Sequence, residues 1–265
     1  MIVAQITDCH VRREGELVYG ALDTAAMLER AVARVNALDP LPDVVLATGD
    51  LVDTGDPAEY ARLRSILGGL RMKLRLIPGN HDSRGALQAA FPDHAYLRGP
   101  DGYCCSVDDS WPLRLVGLDS LEEGRIGGVF DAPRLAWLDR TLGAAPGKPT
   151  LVFVHHPPFE TAIAHMDAYG TVGADAFAAV VARHGQVVRV IAGHVHRSMS
   201  VAWAGTIATT CPSTAHQFAL DLGPGMPAFW TDEPPGFQLH HWKAGRGLVT
   251  HTAAITDWTR TALGP

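Results

Sequence analysis

Short apolar runs rich in Val, Ile and Leu alternate along the chain with longer stretches in which apolar residues recur every three to four positions. The runs at 2–7 (IVAQIT), 43–48 (DVVLAT), 74–78 (LRLIP), 113–118 (LRLVGL), 151–154 (LVFV) and 187–192 (VVRVIA) have the length and composition of buried strands. Between the first two, 23–38 repeats apolar residues at Ala26, Leu28, Ala31, Val32 and Val35 behind Asp23, a side chain suited to capping a helix. The stretch 56–67 places Pro57 at the favoured first helical position, Asp131 with Pro133 opens another helix, and 174–185 (ADAFAAVVARHG) gives a fourth. Such alternation predicts crossover units in one layered α/β domain. From about Trp203 the helical pattern fades: GTIATT, GFQLHHW and GLVTHT read as strands, and 221–236 as a Gly/Pro-rich insertion.

Composition narrows the function classes. A chain of 265 residues with 47% hydrophobic content can build a substantial core. The formal charge of −6 argues against a broad polyanion-binding surface, so no nucleic acid polymer is expected as a partner. The first apolar stretch reaches Asp8 without a basic segment ahead of it, and no window approaches 18 uninterrupted apolar residues. A soluble cytoplasmic protein with no membrane partner is the expectation. Cys9, Cys104, Cys105 and Cys211 form no CxxC pair and are expected to be reduced thiols.

The residues that follow the strands carry the chemistry. Asp8-Cys9-His10 follows the first run, Gly49-Asp50 with Asp53 the second, Gly79-Asn80-His81-Asp82 the third, His155-His156 the fifth and Gly193-His194-Val195-His196 the sixth. Ligands gather outside the carboxyl ends of strands in α/β sheets, so these clusters are expected to converge. Asp8, His10, Asp50, Asn80, His155, His194 and His196 offer hard to borderline donors suited to Mn, Fe, Zn or Co. Seven donors are more than one ion needs and fit two ions sharing a carboxylate, an arrangement used for displacement at phosphorus. Each residue also has a plainer reading: Asp8 and Asp50 as turn or cap residues, Asn80 as a left-handed turn residue. His156, Asp53 and Asp82 are read as supports that orient ligands. His240, His241 and His251 read as alternating strand residues, and His94, His165 and His184 receive no role.

The motifs DCH, GDLVD, GNHD, HHPP and GHVHR, in that order between residues 8 and 197, resemble the calcineurin-like metallophosphoesterase superfamily. With LVYGALD (17–23), LIPGNHD (76–82) and CPSTAHQ (211–217), the chain is most similar to bacterial glycerophosphodiester and class III cyclic-nucleotide phosphodiesterases. The resemblance implies a layered α/β fold, a central β-sandwich flanked by helices. It implies a catalytic domain over 1–220, with 221–265 completing that domain and serving in capping or oligomerisation. One metal ion would be held by Asp8, His10, Asp50 and His196 and a second by Asp50, Asn80, His155 and His194, with Asp50 bridging and Cys9 turned away. A metal-bound hydroxide would attack the phosphorus, with Asp50 and His81 as the catalytic residues. Asn80, His81, His216 and Tyr19 would meet the substrate. The implied activity is hydrolysis of a small phosphodiester, glycerophosphodiester-like, to a monoester and an alcohol. Cyclic-nucleotide and phosphonate monoester hydrolysis, phosphomonoesterase or protein phosphatase activity, and a non-catalytic metal-stabilised scaffold are the alternatives. Arg84 and Arg197 follow no arginine placement expected of a protein phosphatase. A homo-oligomer, dimer or higher, is expected, with Phe229 and Trp230 in the 221–236 insertion forming a lid or a contact surface.

Overall fold

The computed structural model describes residues 1–223, 225, 227–256 and 261. In chain order its elements are β1 (Ile2–Ile6), α1 (Thr24–Asn36), β2 (Val44–Thr48), α2 (Pro57–Leu67), β3 (Lys73–Ile77), α3 (Arg84–Ala90), β4 (Ser106–Asp108), β5 (Arg114–Gly117), α4 (Ala132–Gly143), β6 (Thr150–Phe153), α5 (Ala164–Asp167), α6 (Ala174–Ala182), β7 (Val187–Ala192), β8 (Met199–Trp203), β9 (Thr206–Thr210), β10 (Gln217–Phe218), β11 (Trp230–Thr231), β12 (Gly236–Lys243) and β13 (Gly247–Ala254). Two sheets carry the architecture, in the orders β13-β12-β1-β2-β3 and β4-β5-β6-β7-β9-β8. The strands β1, β2 and β3 run parallel, as do β5, β6, β7 and β9. The antiparallel β12 pairs with β1, so the C-terminal strands extend the N-terminal sheet.

The sheets face each other across Val44, Leu46 and Ile77 on one side and Leu115, Phe153 and Ile191 on the other. The outer face of the first sheet, with Ala4, Ile6 and Val45, packs on Leu28 and Val35 of α1 and Leu63 of α2. The outer face of the second, with Val116, Val152 and Val190, packs on Leu138 of α4 and Phe177 of α6. Four layers result, helix, sheet, sheet, helix, as the resemblance implied. Caps act where the sequence placed them: Asp23 accepts from Ala26 N, Asp131 from Arg134 N, and Asp56 forms a capping box with Glu59. Such caps contribute about 1 kcal/mol each.

The elements absent from the sequence reading are short or exposed. α3 spans seven residues and contains Gly85, and β8 is an exposed edge strand without a clear apolar alternation. Helix α6 ends at Ala182, three residues before the run read as helical, and Leu113 and Leu118 flank rather than belong to β5. Pro224 and Met226 of the 221–236 insertion, and 257–260 and 262–265 of the C-terminal region, lie outside the described residues.

Candidate metal centre

The carboxyl ends of β1, β2, β3, β6 and β7 meet along one edge of the sandwich. The structure brings all seven candidate donors together there, and six of them are buried; Asn80 is half-buried. Asp8, His10 and His196 form one donor cluster and Asp8, Asp50 and His155 an adjoining one. Asp50 reaches both sides: its Oδ2 is 3.8 Å from His10 Nε2 and its Oδ1 3.4 Å from His155 Nε2.

The histidine tautomers follow from their partners. His10 donates through Nδ1 to Asp53 Oδ1 (3.2 Å), His155 through Nδ1 to the Thr48 carbonyl (2.8 Å) and His196 through Nδ1 to the His216 carbonyl (2.8 Å). Each ring therefore turns Nε2 towards the cluster and, without a proton there, presents a lone pair, the orientation that metal-ligating histidines adopt. His196 Nε2 lies 3.4 Å from Asp8 Oδ1 and 3.2 Å from His10 Nε2. His155 Nε2 lies 3.1 Å from Asn80 Oδ1. Acceptors thus face acceptors, and the arrangement calls for positive charge between them. His155 expresses the same demand: burial lowers its pKa, but Asp50 outweighs this and pushes it up to about 9. The donor set fits two divalent ions.

Backbone geometry accounts for the tight convergence. Asp8, His10, Asp50, His194 and His196 all have positive φ, between 45° and 72°. Side chains rarely adopt this conformation, and strain of this kind collects at functional sites. It lets the His194 N–H donate to both carboxylate oxygens of Asp8, at 3.1 and 3.0 Å. A Cβ at Gly193 would collide with Thr7 Oγ1, and one at Gly79 with the Asp50 carboxylate.

The supporting residues have assigned contacts. Asp82 accepts from the Leu51 and Gly79 N–H groups and the Tyr60 hydroxyl, which holds the turn carrying Asn80. His156 lies near His155 and His194, but Nε2 donates to the Ile126 carbonyl and Nδ1 accepts from the Ser120 hydroxyl. No lone pair of His156 is left for a metal. Cys9 packs in the core with Val11 and Leu51, and burial pushes its thiol up to about 12. Arg84 pairs with Asp119 at 2.8 Å and Arg197 with Glu233 at 3.0 Å.

His81 and Tyr19 are exposed at the mouth. The His81 ring donates through Nδ1 to the Asp53 carbonyl (2.7 Å) and meets His10 edge-on at 4.7 Å. His216 is buried, 4.5 Å from the His196 ring, and neither of its nitrogens has a hydrogen-bond partner among the described residues. Burial, with His196 and His10, pushes its pKa down to about 2. Tyr19 stands edge-on over His216 at 5.2 Å and stacks on Trp230 at 6.1 Å. The Trp230 contact spans most of the chain, and no local sequence signal marks it. A cavity of about 510 Å³ adjoins His194 and is lined in part by Phe159, Glu160, Tyr169 and Trp203. Sequence reasoning did not find it. Two motifs reach its rim, through Pro157 and Pro158 after His156 and through Val195, but the wall formed by residues 160–175 and Trp203 depends on how the following loop folds back and carries no local signal.

A layered α/β sandwich whose strand ends hold a Asp/Asn/His cluster of this kind defines a metal-dependent phosphoesterase. The calcineurin-like phosphoesterase model matches residues 1–198, and the chain belongs to that family. The chain is 36% identical over 256 residues to a probable glycerophosphodiester phosphodiesterase GpdQ from Arcobacter nitrofigilis, covering 96% of this chain and 93% of the relative. It is 37% identical over 255 residues to a probable cyclic nucleotide phosphodiesterase from Rhodopseudomonas palustris, covering 95% and 92%. In fold it is similar to a dimetal phosphatase from Danio rerio, with a TM-score of 0.68 at 16% identity over 97% of this chain and 99% of that one.

Proposed function

We propose that the protein hydrolyses small phosphodiesters of the glycerophosphodiester type. One metal ion would be held by Asp8, His10, Asp50 and His196 and the other by Asp50, Asn80, His155 and His194. The observation that carries this reading is Asp50, which directs one oxygen towards each histidine group. Ions held there would supply charge neutralisation at phosphorus and activation of water as the nucleophile. The donor set suits Mn, Fe, Zn or Co.

The chain's own residues do the rest. His81 is anchored through Nδ1, so its Nε2 is the free atom aimed at the incoming phosphate. Burial lowers its pKa, but Asp50 and Asp53 outweigh this and raise it. A protonated Nε2 donates to a phosphate oxygen and can pass its proton to the departing alkoxide. Asn80 holds the phosphate near His155, and His216 with Tyr19 lines the approach. The cavity beside His194 receives the alcohol portion. Glu160, Asp167 and Asp175 line it without a basic side chain apart from His194, which suits a polyol better than an anionic group. Hydrolysis of 3′,5′-cyclic nucleotides is the second reading, supported by the relatives of that name.

The exposed Leu220, Leu222, Phe229 and Trp230 support a homo-oligomer in which this region is covered. No helix among the described residues is long and apolar enough to cross a membrane.

The test is turnover by protein reconstituted with Mn, Co, Zn or Fe. Glycerophosphodiesters are expected to be cleaved faster than cyclic nucleotides and matched monoesters, and Asp50→Ala to lose at least about 10²-fold. Faster cleavage of monoesters overturns the diesterase reading. Two bound metals without turnover of any phosphoester would favour a scaffold.

A further inference from the structure

The packing between the two sheets changes character at one flank. Around Ile191, Phe153 and Val44 it is apolar. Beside β8 and β13 polar residues line the flank: within one sheet Thr209 of β9 pairs with Ser200 of β8, and within the other Thr250 and Thr252 of β13 pair with His240 and Gln238 of β12. Arg189 of β7 projects into this region and is 9% exposed. Among the described residues its guanidinium makes one hydrogen bond, from Nη2 to the Leu248 carbonyl at 3.2 Å, and its Nε has no partner.

Arg189 differs from the other buried arginines among the described residues. Arg114 has Asp109 at 3.1 Å and Arg134 has Glu122 at 3.4 Å. Arg189 has no carboxylate within ion-pair distance among the described residues, and burial alone acts on its pKa, lowering it. A buried cation without a counter-charge is costly, which makes an external anion its natural complement.

The space for one is present. A cavity of about 350 Å³ opens against Arg189 and is walled by Ser198, Ser200, Thr209, Thr250 and Thr252, with no acidic side chain in its lining. The Thr250 hydroxyl proton is committed to His240 Nδ1, whose ring donates through Nε2 to Gln5. The Thr209 hydroxyl, itself buried, has no partner among the described residues. Ser200 is exposed on the lip of the cleft. One cation with a forked donor set and free hydroxyls beside it is the chemistry that binds tetrahedral oxyanions. Gln238 also lines the cavity, and its Oε1 lacks a donor among the described residues. Monohydrogen phosphate carries a proton to give it, and sulfate does not.

We propose that this cleft binds a small phosphate-type oxyanion through Arg189 and the hydroxyls of Thr209 and Ser200, at a site distinct from the metal centre. Inorganic phosphate and the phosphate group of a phosphomonoester share the chemistry it recognises. A smaller cavity of about 240 Å³ shares Ser198 and Thr252 with the cleft and reaches His196, so the two sites are neighbours. The site does not depend on the diesterase reading.

Equilibrium dialysis of the metal-loaded protein against radiolabelled inorganic phosphate tests it. Wild type is expected to bind two phosphates per chain, one insensitive to Asp50→Ala. Arg189→Met and Ser200→Asp should each lose that one while aryl phosphodiester hydrolysis stays within about twofold of wild type. Ser200→Asp is an exposed substitution that supplies the missing carboxylate from within, so it keeps the test informative if Arg189→Met fails to fold. Glycerol 3-phosphate is the second competitor, and whichever of it and inorganic phosphate displaces the label at lower concentration identifies the source. Sulfate should compete at least about tenfold more weakly. Full phosphate binding by Ser200→Asp, a single wild-type phosphate that Asp50→Ala removes, or equal competition by sulfate would overturn the proposal.

Discussion

The Nε2 atoms of His10 and His196 lie 3.2 Å apart, and the Nδ1 of each ring is already committed elsewhere. Two lone pairs therefore confront each other beside the carboxylate of Asp8. A chelator should lower the melting temperature and re-added Mn or Zn should restore it. At a free metal concentration of 100 Kd the stabilisation is about 2.7 kcal/mol per ion. Asp53→Ala frees Nδ1 of His10 and should weaken metal binding or activity by about 10–100-fold. Calorimetric melting with and without chelator checks the first effect, and metal titration of the variant the second.

His194 and His196 stand on opposite sides of the cluster, His194 against His155 and His196 against His10. Alanine at His196 should weaken mainly the ion shared with Asp8 and His10, and alanine at His194 mainly the one shared with Asn80 and His155. Elemental analysis across a metal titration reads this directly. Identical profiles for the two variants count against the division of ligands.

The His81 main-chain N–H donates to Asp50 Oδ1 at 2.9 Å, a contact that alanine keeps, while its ring meets His10 edge-on. His81→Ala should therefore keep its metal content while kcat on a diester falls by about 10²–10³-fold, the loss typical of one removed oxyanion donor. Loss of metal in this variant would mean that His81 acts as a ligand or a ligand support.

Gly193 has no room for a methyl group between Thr7 and the Asp8 carboxylate. Gly193→Ala should lower stability by about 1–3 kcal/mol through overpacking and displace His194. Denaturant melts with metal titrations on the same samples test both consequences, and a variant with wild-type stability and metal affinity would show that the strand end yields.

His240 is fully buried and accepts from Thr250 at Nδ1, so it is held neutral; burial and then Arg189 push its pKa down to about 3. The unfolded chain binds this proton near pH 6.5, so the stability associated with His240 is present above that value and is lost as pH falls towards 3. Its contribution to the slope is at most about 1.4 kcal/mol per pH unit. His240→Gln should flatten the decline in stability between pH 6 and 4, as measured by urea melts. An unchanged slope would show that His240 does not govern acid sensitivity.

The centre was legible because its residues follow directly on the apolar runs: Asp8, Asp50, Asn80, His155 and His194 each stand within three residues of a strand end. Strand β7 shows the limit. VVRVIA reads as a uniform buried run, yet Arg189 faces a flank whose opposite wall, Leu248, lies 59 positions away. Tyr19 and Trp230 stack across 211 positions for the same reason. Local periodicity identifies a strand but cannot say what packs across from it. The place of His155 beside the other donors was likewise readable, whereas the commitment of both His156 ring nitrogens required the Ser120 and Ile126 contacts.

Five of the seven donors sit at positive φ. Asp, Asn and His are among the few residues besides glycine that tolerate this conformation, and β-branched residues are poorly suited to it. The alphabet open to these positions is thus narrowed twice, by coordination chemistry and by the shape of the main chain. Grafting the centre onto another scaffold means transplanting the left-handed corners together with their side chains. A graft of the side chains alone onto regular strand ends would leave the donors splayed.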